Sequence, residues 1–146
     1  EILDGNLVFE DHHKLAPQDQ SSYPLITDLS PLIGITEIRG DLKIGLKSID
    51  YDNWATPFIN FRFCNENLSF FKELRKIGGN LEIYANCGGA LNFSNLEEVG
   101  GQIIIKGARI NDYCAISSLI TENNFEISEN IYNPTFEDFQ AGNCSN

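Results

Sequence analysis

The sequence predicts a mainly β protein built as a solenoid, with coils of about 22 residues that each contribute a short strand. One template, apolar-x-x-apolar-x-Gly-x-apolar-x-apolar, occurs three times, at Ile35–Ile44, Leu74–Ile83 and Leu96–Ile105. Two of its glycines, Gly79 and Gly101, are 22 residues apart. A fixed period of roughly 20 to 30 residues is typical of a solenoid, because one coil cannot cover its own apolar face and must stack on the next.

The strands are predicted where apolar and polar residues alternate, since neighbouring side chains of a strand point to opposite faces. Six segments show this pattern: Asn6–Glu10, Asp41–Ile44, Ile59–Phe63, Leu81–Tyr84, Ile103–Lys106 and Phe125–Ser128. Each sends two apolar side chains inward, and we expect these to stack from coil to coil. A second inward set is expected from Phe71 and Leu74, with Phe93 and Leu96 at the equivalent positions one coil later.

The composition fits one domain over 1–146, because 146 residues with 42% hydrophobic composition can bury a core. We expect an N-terminal coil with an insertion over 1–34, repeats over 35–128 and a C-terminal cap over 129–146. In the cap, Asn133 or Thr135 is expected to begin a short helix near Pro134, and Phe136 and Phe139 to cover the last coil.

The net charge of −11 argues against nucleic acid or anionic lipid as a partner, because binding either requires a basic patch. We interpret the acidity as a means of solubility, with a calcium-binding surface as the alternative. No segment approaches the roughly 18 consecutive apolar residues of a membrane span, so we expect no membrane insertion.

The four cysteines favour disulfides over a metal site, since none lies in a C-x-x-C pair. Cys64 and Cys87 are 23 residues apart, which would place them on neighbouring coils, about 5 Å from each other. A bond between Cys114 and Cys144 would tie down the C-terminal tail. Disulfides indicate an oxidising compartment, and hence a secreted or cell-surface protein, with buried free thiols in the cytosol as the alternative.

Candidate ligand contacts lie in an insertion and on the outward strand face. Asp50, Tyr51, Asp52 and Trp54 place two large aromatic side chains among carboxylates, an arrangement suited to a protein partner or a sugar ring. Alternatively, Trp54 folds back to plug the end of a coil. The outward face adds two candidates, Arg62 and Tyr84.

Catalysis finds little support, because the sequence lacks G-x-S-x-G, H-E-x-x-H and any serine or cysteine that the repeat would place beside a histidine. His12 and His13 point apart on an extended segment and are interpreted as surface residues. We therefore expect no enzyme, no cofactor and no metal.

The runs Ile38–Ile44, Phe71–Ile83 and Phe93–Ile105 resemble the receptor L domain, a leucine-rich-repeat relative found in insulin and epidermal growth factor receptor ectodomains. The tail from Asp112 to Ser145 is similar to the closing segment of secreted bacterial leucine-rich-repeat proteins. The resemblance implies a right-handed parallel β-helix that binds protein ligands without catalysis. The cysteine-rich modules that flank receptor L domains are absent, so ligand identity does not carry over.

These observations together predict a secreted or cell-surface module for recognition or adhesion, which binds a protein ligand through the strand face or an inserted loop. Carbohydrate binding by the same loop, with or without calcium, is one alternative. The other is a structural spacer within a larger multidomain surface protein.

Overall fold

A computed structural model describes residues 1–9, 30–45, 70–84 and 89–146, and over these residues the chain is mainly β with parallel sheets. The strands are β1 Ile2–Leu3, β2 Leu7–Phe9, β3 Glu37–Ile38, β4 Leu42–Ile44, β5 Lys76–Ile77, β6 Leu81–Tyr84, β7 Gly89–Ala90, β8 Glu98–Val99, β9 Ile103–Lys106, β10 Ile110–Asp112 and β11 Phe125–Ser128. Helical segments are the 3₁₀ turns Ser30–Leu32 and Cys114–Leu119 and the helix α1, Phe136–Gln140. Within the described ranges, no helix has the length and apolar character needed to cross a bilayer.

The largest sheet has five parallel strands in the order β2-β4-β6-β9-β11. Its register places one apolar residue of each strand side by side, namely Leu7, Leu42, Leu81, Ile103 and Phe125. Strands β6, β9 and β11 have the predicted bounds. Strands β2 and β4 lie within the predicted ranges and are shorter. The predicted inward ladder is therefore confirmed for these five strands.

The strand predicted at Ile59–Phe63 lies outside the described residues, but its predicted place in the ladder is wrong. Leu42 pairs directly with Leu81, so β4 and β6 are neighbours although 39 positions separate the paired residues. The prediction assumed one coil for every 22 residues. The observed pairing makes β4 and β6 consecutive strands of the sheet.

A second, four-stranded parallel sheet has the order β1-β3-β5-β8. In each template copy, a polar residue and the apolar residue two positions before the glycine form one strand of this sheet. The pairing aligns Ile38 with Ile77 and Val99. Each template copy thus forms two short strands with a glycine corner between them, where the pattern had predicted one strand. A two-stranded sheet pairs β7 with β10 in parallel.

The core lies between the two larger sheets and the turns that join them. Side chains with no measurable exposure come from both sheets and from the turns: Ile38, Leu42, Ile44, Phe71, Leu74, Ile77, Leu81, Ile83, Phe93, Ile103, Ile105, Ala108, Ile110, Tyr113 and Ile116. The rings of Phe71 and Phe93 stack with centroids 6.2 Å apart. The predicted second inward set is therefore confirmed as a stacked pair in neighbouring coils.

The corners between the two sheets carry a ladder of side-chain hydrogen bonds that we call the corner ladder. The amide of Asp41 donates to Asn6 Oδ1, that of Asn80 to Asp41 Oδ1, and that of Gln102 to Asn80 Oδ1, each at 2.8 Å. The accepting oxygen of each side chain lies against the glycine that comes just before the donating amide. A Cβ on Gly101, for example, would overlap Asn80 Oδ1. The template glycine is therefore required by close approach between coils.

The C-terminal segment closes the apolar end of the stack. Thr135 begins α1 with a capping box, in which its side chain accepts from the Asp138 amide and the Asp138 carboxylate accepts from the Thr135 amide. Phe139 packs edge-to-face on Phe125, with ring centroids 5.7 Å apart, and also on Tyr113 at 6.5 Å. These contacts confirm the predicted role of Phe139 and choose Thr135 over Asn133 as the first capping residue.

The predicted disulfide between Cys114 and Cys144 is present. It joins the 3₁₀ turn Cys114–Leu119 to the tail, where the Tyr113 amide also donates to the Cys144 carbonyl at 2.8 Å. The tail is thus tied to the end of β10. Cys64 and Cys87 lie outside the described residues, so their pairing stays a prediction.

Replacing Gly101 with Ala is expected to cost about 2 kcal/mol of unfolding free energy, because the new methyl group displaces the Asn80 side chain. In an Asn80→Ala background the same change should cost less, since the displaced atom is gone. Urea unfolding of the two single variants and the double variant measures the coupling. Gly142→Ala is the control, because nothing lies near its Cβ position and its cost should not depend on Asn80. Strict additivity of Gly101→Ala with Asn80→Ala would contradict the role of the corner ladder.

Removing the Cys114–Cys144 bond with a double Ala variant is expected to cost about 3 kcal/mol, because the bond closes a loop of 30 residues. The melting temperature should fall, and size-exclusion chromatography should show association as the apolar end of the stack opens. The double variant, unlike Cys144→Ser, leaves no new thiol, so association cannot arise from disulfide exchange at Cys114. An unchanged melting curve would show that the tail stays in place without the bond.

Candidate functional site

The candidate site is the solvent side of the five-stranded sheet, which we call the outer strand face. Strand register places two columns there, consisting of Val8, Lys43, Glu82, Ile104 and Glu126 in one and Tyr84, Lys106 and Ser128 in the other. The coil expected from Ile59–Phe63 contributes no residue between Lys43 and Glu82. The parallel ladder therefore creates a continuous surface from side chains far apart in sequence.

The middle of the outer strand face is a closed polar network. Lys43 Nζ lies 3.1 Å from Glu82 Oε1 and 3.4 Å from Asp41 Oδ2. The Tyr84 hydroxyl donates to the other carboxylate oxygen, Glu82 Oε2, at 3.0 Å. Glu82 is only 7% exposed, and both of its oxygens have partners, as a buried polar side chain requires.

This network shifts two titrations in the same direction. The hydrogen bond to Glu82 raises the pKa of the Lys43 ammonium above its ordinary value, because the pair favours the charged form. Burial, and then the hydrogen bond to Glu82, raises the pKa of the Tyr84 hydroxyl far above its ordinary value. Both groups therefore keep their protons well into the alkaline range.

The side of the outer strand face towards β11 is more open. The Lys106 ammonium pairs with the Glu126 carboxylate, and their side chains are 33% and 55% exposed. Ile104 is partly exposed between Glu82 and Glu126 in the column, and Val8 at the far end is 42% exposed. Apolar and charged groups thus lie side by side across the strands.

The outer side of the four-stranded sheet has a different character. Lys76 Nζ lies 2.8 Å from Glu98 Oε1, and Arg75 Nη1 lies 2.6 Å from Glu97 Oε1. The side chains of these two pairs are between 42% and 65% exposed, and each pair joins neighbouring coils. Exposed pairs of this kind contribute little stability and leave a solvated polar surface. The outer strand face is therefore the better candidate for binding.

The predicted ligand contacts are placed unevenly. Asp50, Tyr51, Asp52, Trp54 and Arg62 lie outside the described residues, so their roles stay predictions. Tyr84 lies on the outer strand face as predicted, but it is 5% exposed and its hydroxyl is bonded to Glu82. In this structure it supports the polar network from below the surface.

Lys43 is the residue that sequence reasoning missed. The prediction placed Arg62 near Glu82 or Tyr84, because it assumed a coil between β4 and β6, whereas Lys43 is the neighbour of Glu82 in the ladder. The signal was present, since Lys43 stands between the inward residues Leu42 and Ile44 and so points outward. Its neighbour could not be read from the 22-residue period, because that period does not hold through the insertion.

Across the described parts of the chain, no group of three or more His, Cys, Asp or Glu side chains is arranged to hold a metal ion. Comparison with protein-family models, curated proteins and solved structures finds no match to this chain.

Raising the pH above about 10 is expected to destabilise the fold, because buried Tyr84 and Tyr113 have raised pKa values and ionise more easily when unfolded. The stabilising contribution is complete below the unfolded-state pKa and is lost as the pH rises towards the folded-state pKa. Tyr84→Phe should lower the melting temperature at neutral pH, since Glu82 loses a partner, yet make its fall between pH 9 and 11 shallower. Circular dichroism melting across this range checks both effects. A wild-type slope in the variant would show that Tyr84 already titrates freely in the folded protein.

Proposed function

We propose that this chain is a right-handed parallel β-helical solenoid of the receptor L-domain type that binds a protein ligand through the outer strand face. It acts without catalysis, as a secreted or cell-surface module for recognition or adhesion. The observation that carries the proposal is the in-register outer strand face, on which partly exposed apolar and charged side chains stand on a rigid core.

The arrangement of strands supports the solenoid. The first four strands of the five-stranded sheet, β2, β4, β6 and β9, run in the same coil order as β1, β3, β5 and β8 of the other sheet. Each coil therefore adds one strand to each sheet and then moves forward by one position. The corner ladder repeats with the same geometry at successive coils, as a stack of equivalent units requires.

The chemistry of the outer strand face supports a protein ligand. Protein interfaces combine an apolar centre with polar groups that fix orientation and partner choice. Here Ile104 supplies a partly exposed apolar side chain, and Lys43 and Lys106 supply the nearest cations. Both cations are held by carboxylates, so the surface offers defined positions for polar contacts.

The Cys114–Cys144 disulfide supports an extracellular location, because such bonds persist mainly in oxidising compartments. The carbohydrate alternative depends on the Asp50–Trp54 segment, which lies outside the described residues. The spacer alternative predicts no ligand for either surface. Staining of intact cells separates the protein-ligand, carbohydrate and spacer hypotheses.

Ile104→Lys is expected to abolish or strongly weaken staining of intact cells by a fluorescent tetramer of the whole chain, tested over a panel of cell types. The variant places a charge in the open part of the outer strand face. Ile33→Lys is the matched control, since Ile33 is 49% exposed and lies off this face. Circular dichroism confirms that both variants remain folded.

Treatment of the cells identifies the class of ligand. Loss of staining after mild protease treatment, but not after glycosidase treatment, is the result expected for a protein ligand. The reverse result would favour the carbohydrate alternative. Equal staining by both Lys variants would refute binding through the outer strand face. If the wild-type chain stains no cell type, the result favours the spacer alternative.

A further inference from the structure

Strand β11 ends the five-stranded sheet, and its outer edge has no neighbouring strand among the described residues. In every earlier strand, the amide at the first ladder position donates to a carbonyl of the next coil. These four bonds run from Leu7 to Asp41, Leu42 to Asn80, Leu81 to Gln102 and Ile103 to Asn124, at 2.8 to 2.9 Å. Phe125 occupies the same ladder position in β11, so its amide points away from β9.

The third residue of each strand repeats this orientation, because backbone groups alternate in direction along a parallel strand. At the other end of the sheet, the Phe9 carbonyl faces the next coil and accepts from the Gly45 amide at 2.8 Å. Ile127 is the residue of β11 that matches Phe9 in the ladder. Phe125 and Ile127 therefore direct two amides and two carbonyls towards the open edge.

The C-terminal segment covers the apolar side chains next to this edge without bonding to its backbone. Phe139 packs against the Phe125 ring, but no backbone hydrogen bond joins α1 to β11. Phe136 and Phe139 remain only partly buried. They leave apolar surface on the inner side of the edge, where the inward side chains of an added strand would lie.

Charge decides between the possible occupants of this edge. From Ile110 to Asn146 the sequence has six carboxylates, at Asp112, Glu122, Glu126, Glu129, Glu137 and Asp138, and no Lys, Arg or His. Glu126 stands in the middle of β11 with its side chain 55% exposed. A second copy paired through the same edge would bring two acidic ends together. Like charges therefore oppose self-association through this edge.

We propose that the open edge of β11 binds an extended segment of a basic partner protein by strand addition. The segment alternates basic and apolar residues, so that a Lys or Arg lies beside Glu126 and the apolar residues face Phe136 and Phe139. Backbone bonds to Phe125 and Ile127 give affinity, and the alternating side chains give selectivity. This edge binds through the backbone of β11, and Glu126 is the residue that it shares with the outer strand face.

The test titrates the ¹⁵N-labelled whole chain with an acetylated, amidated peptide of alternating Val and Lys residues. Hydrogen exchange at the Phe125 and Ile127 amides should slow on binding, whereas the Glu126 and Ser128 amides, which face β9, serve as internal references. An alternating Val and Glu peptide should not bind. A Val and Lys peptide that is N-methylated on alternate residues should bind much more weakly, because it cannot form the backbone bonds.

The charge contribution is tested with Glu126→Lys, which should weaken peptide binding about tenfold. Glu97→Lys is the matched control, because it makes the same charge change and also breaks an exposed ion pair, away from β11. Val8→Lys, which changes the outer strand face at its far end from β11, should bind the peptide like the wild type, so failure of the outer strand face and failure of the edge are distinguishable. Equal binding by the N-methylated peptide, or unaltered exchange at Phe125 and Ile127 with the Val and Lys peptide, would overturn the proposal.

Discussion

The hydrogen bonds of the corner ladder are the constraint on which the rest of the structure depends. Each bond joins a side chain of one coil to the backbone amide of the next, so it sets the relative position of the coils along the strand direction. A shift of one residue would break the ladder and turn every inward side chain outward. The glycine at each corner follows from the same contact, because the crossing side chain leaves no room for a Cβ.

Register has direct consequences for the surface. Once Leu42 is aligned with Leu81, Lys43 must lie beside Glu82, and their ion pair forms without any local sequence relationship. The same alignment places Lys106 beside Glu126 at the other end of the outer strand face. The charged pairs are thus a product of stacking. The more open Lys106–Glu126 pair contributes less than the buried apolar ladder, since exposed pairs are screened by water.

The two ends of the sheet face different physical problems. At the β11 end, Phe139 and the disulfide cover and secure the apolar side chains, while the backbone edge stays open. Carboxylates concentrated in the last quarter of the chain keep this edge from pairing with another copy. The same charges leave the edge available to a partner of opposite charge, so one feature prevents aggregation and selects a ligand.

The sequence by itself determined the strands of the five-stranded sheet and the cap. Alternation marked β6, β9 and β11 at their observed bounds, and the apolar pair Phe136 and Phe139 marked the closing segment. These features are local, because strand period and helix capping depend on residues only a few positions apart. The Cys114–Cys144 bond was also predicted, since it required only that the tail return to the end of the last coil.

Only the tertiary structure decided which strands are neighbours. The sequence period placed a coil at Ile59–Phe63 between β4 and β6, but Leu42 pairs directly with Leu81. The length of an insertion says little about where the chain rejoins a sheet, because the free energy of loop closure changes slowly with loop length. The burial of Glu82 and Tyr84 has the same origin, since it depends on what packs around β6 and is absent from the alternating pattern.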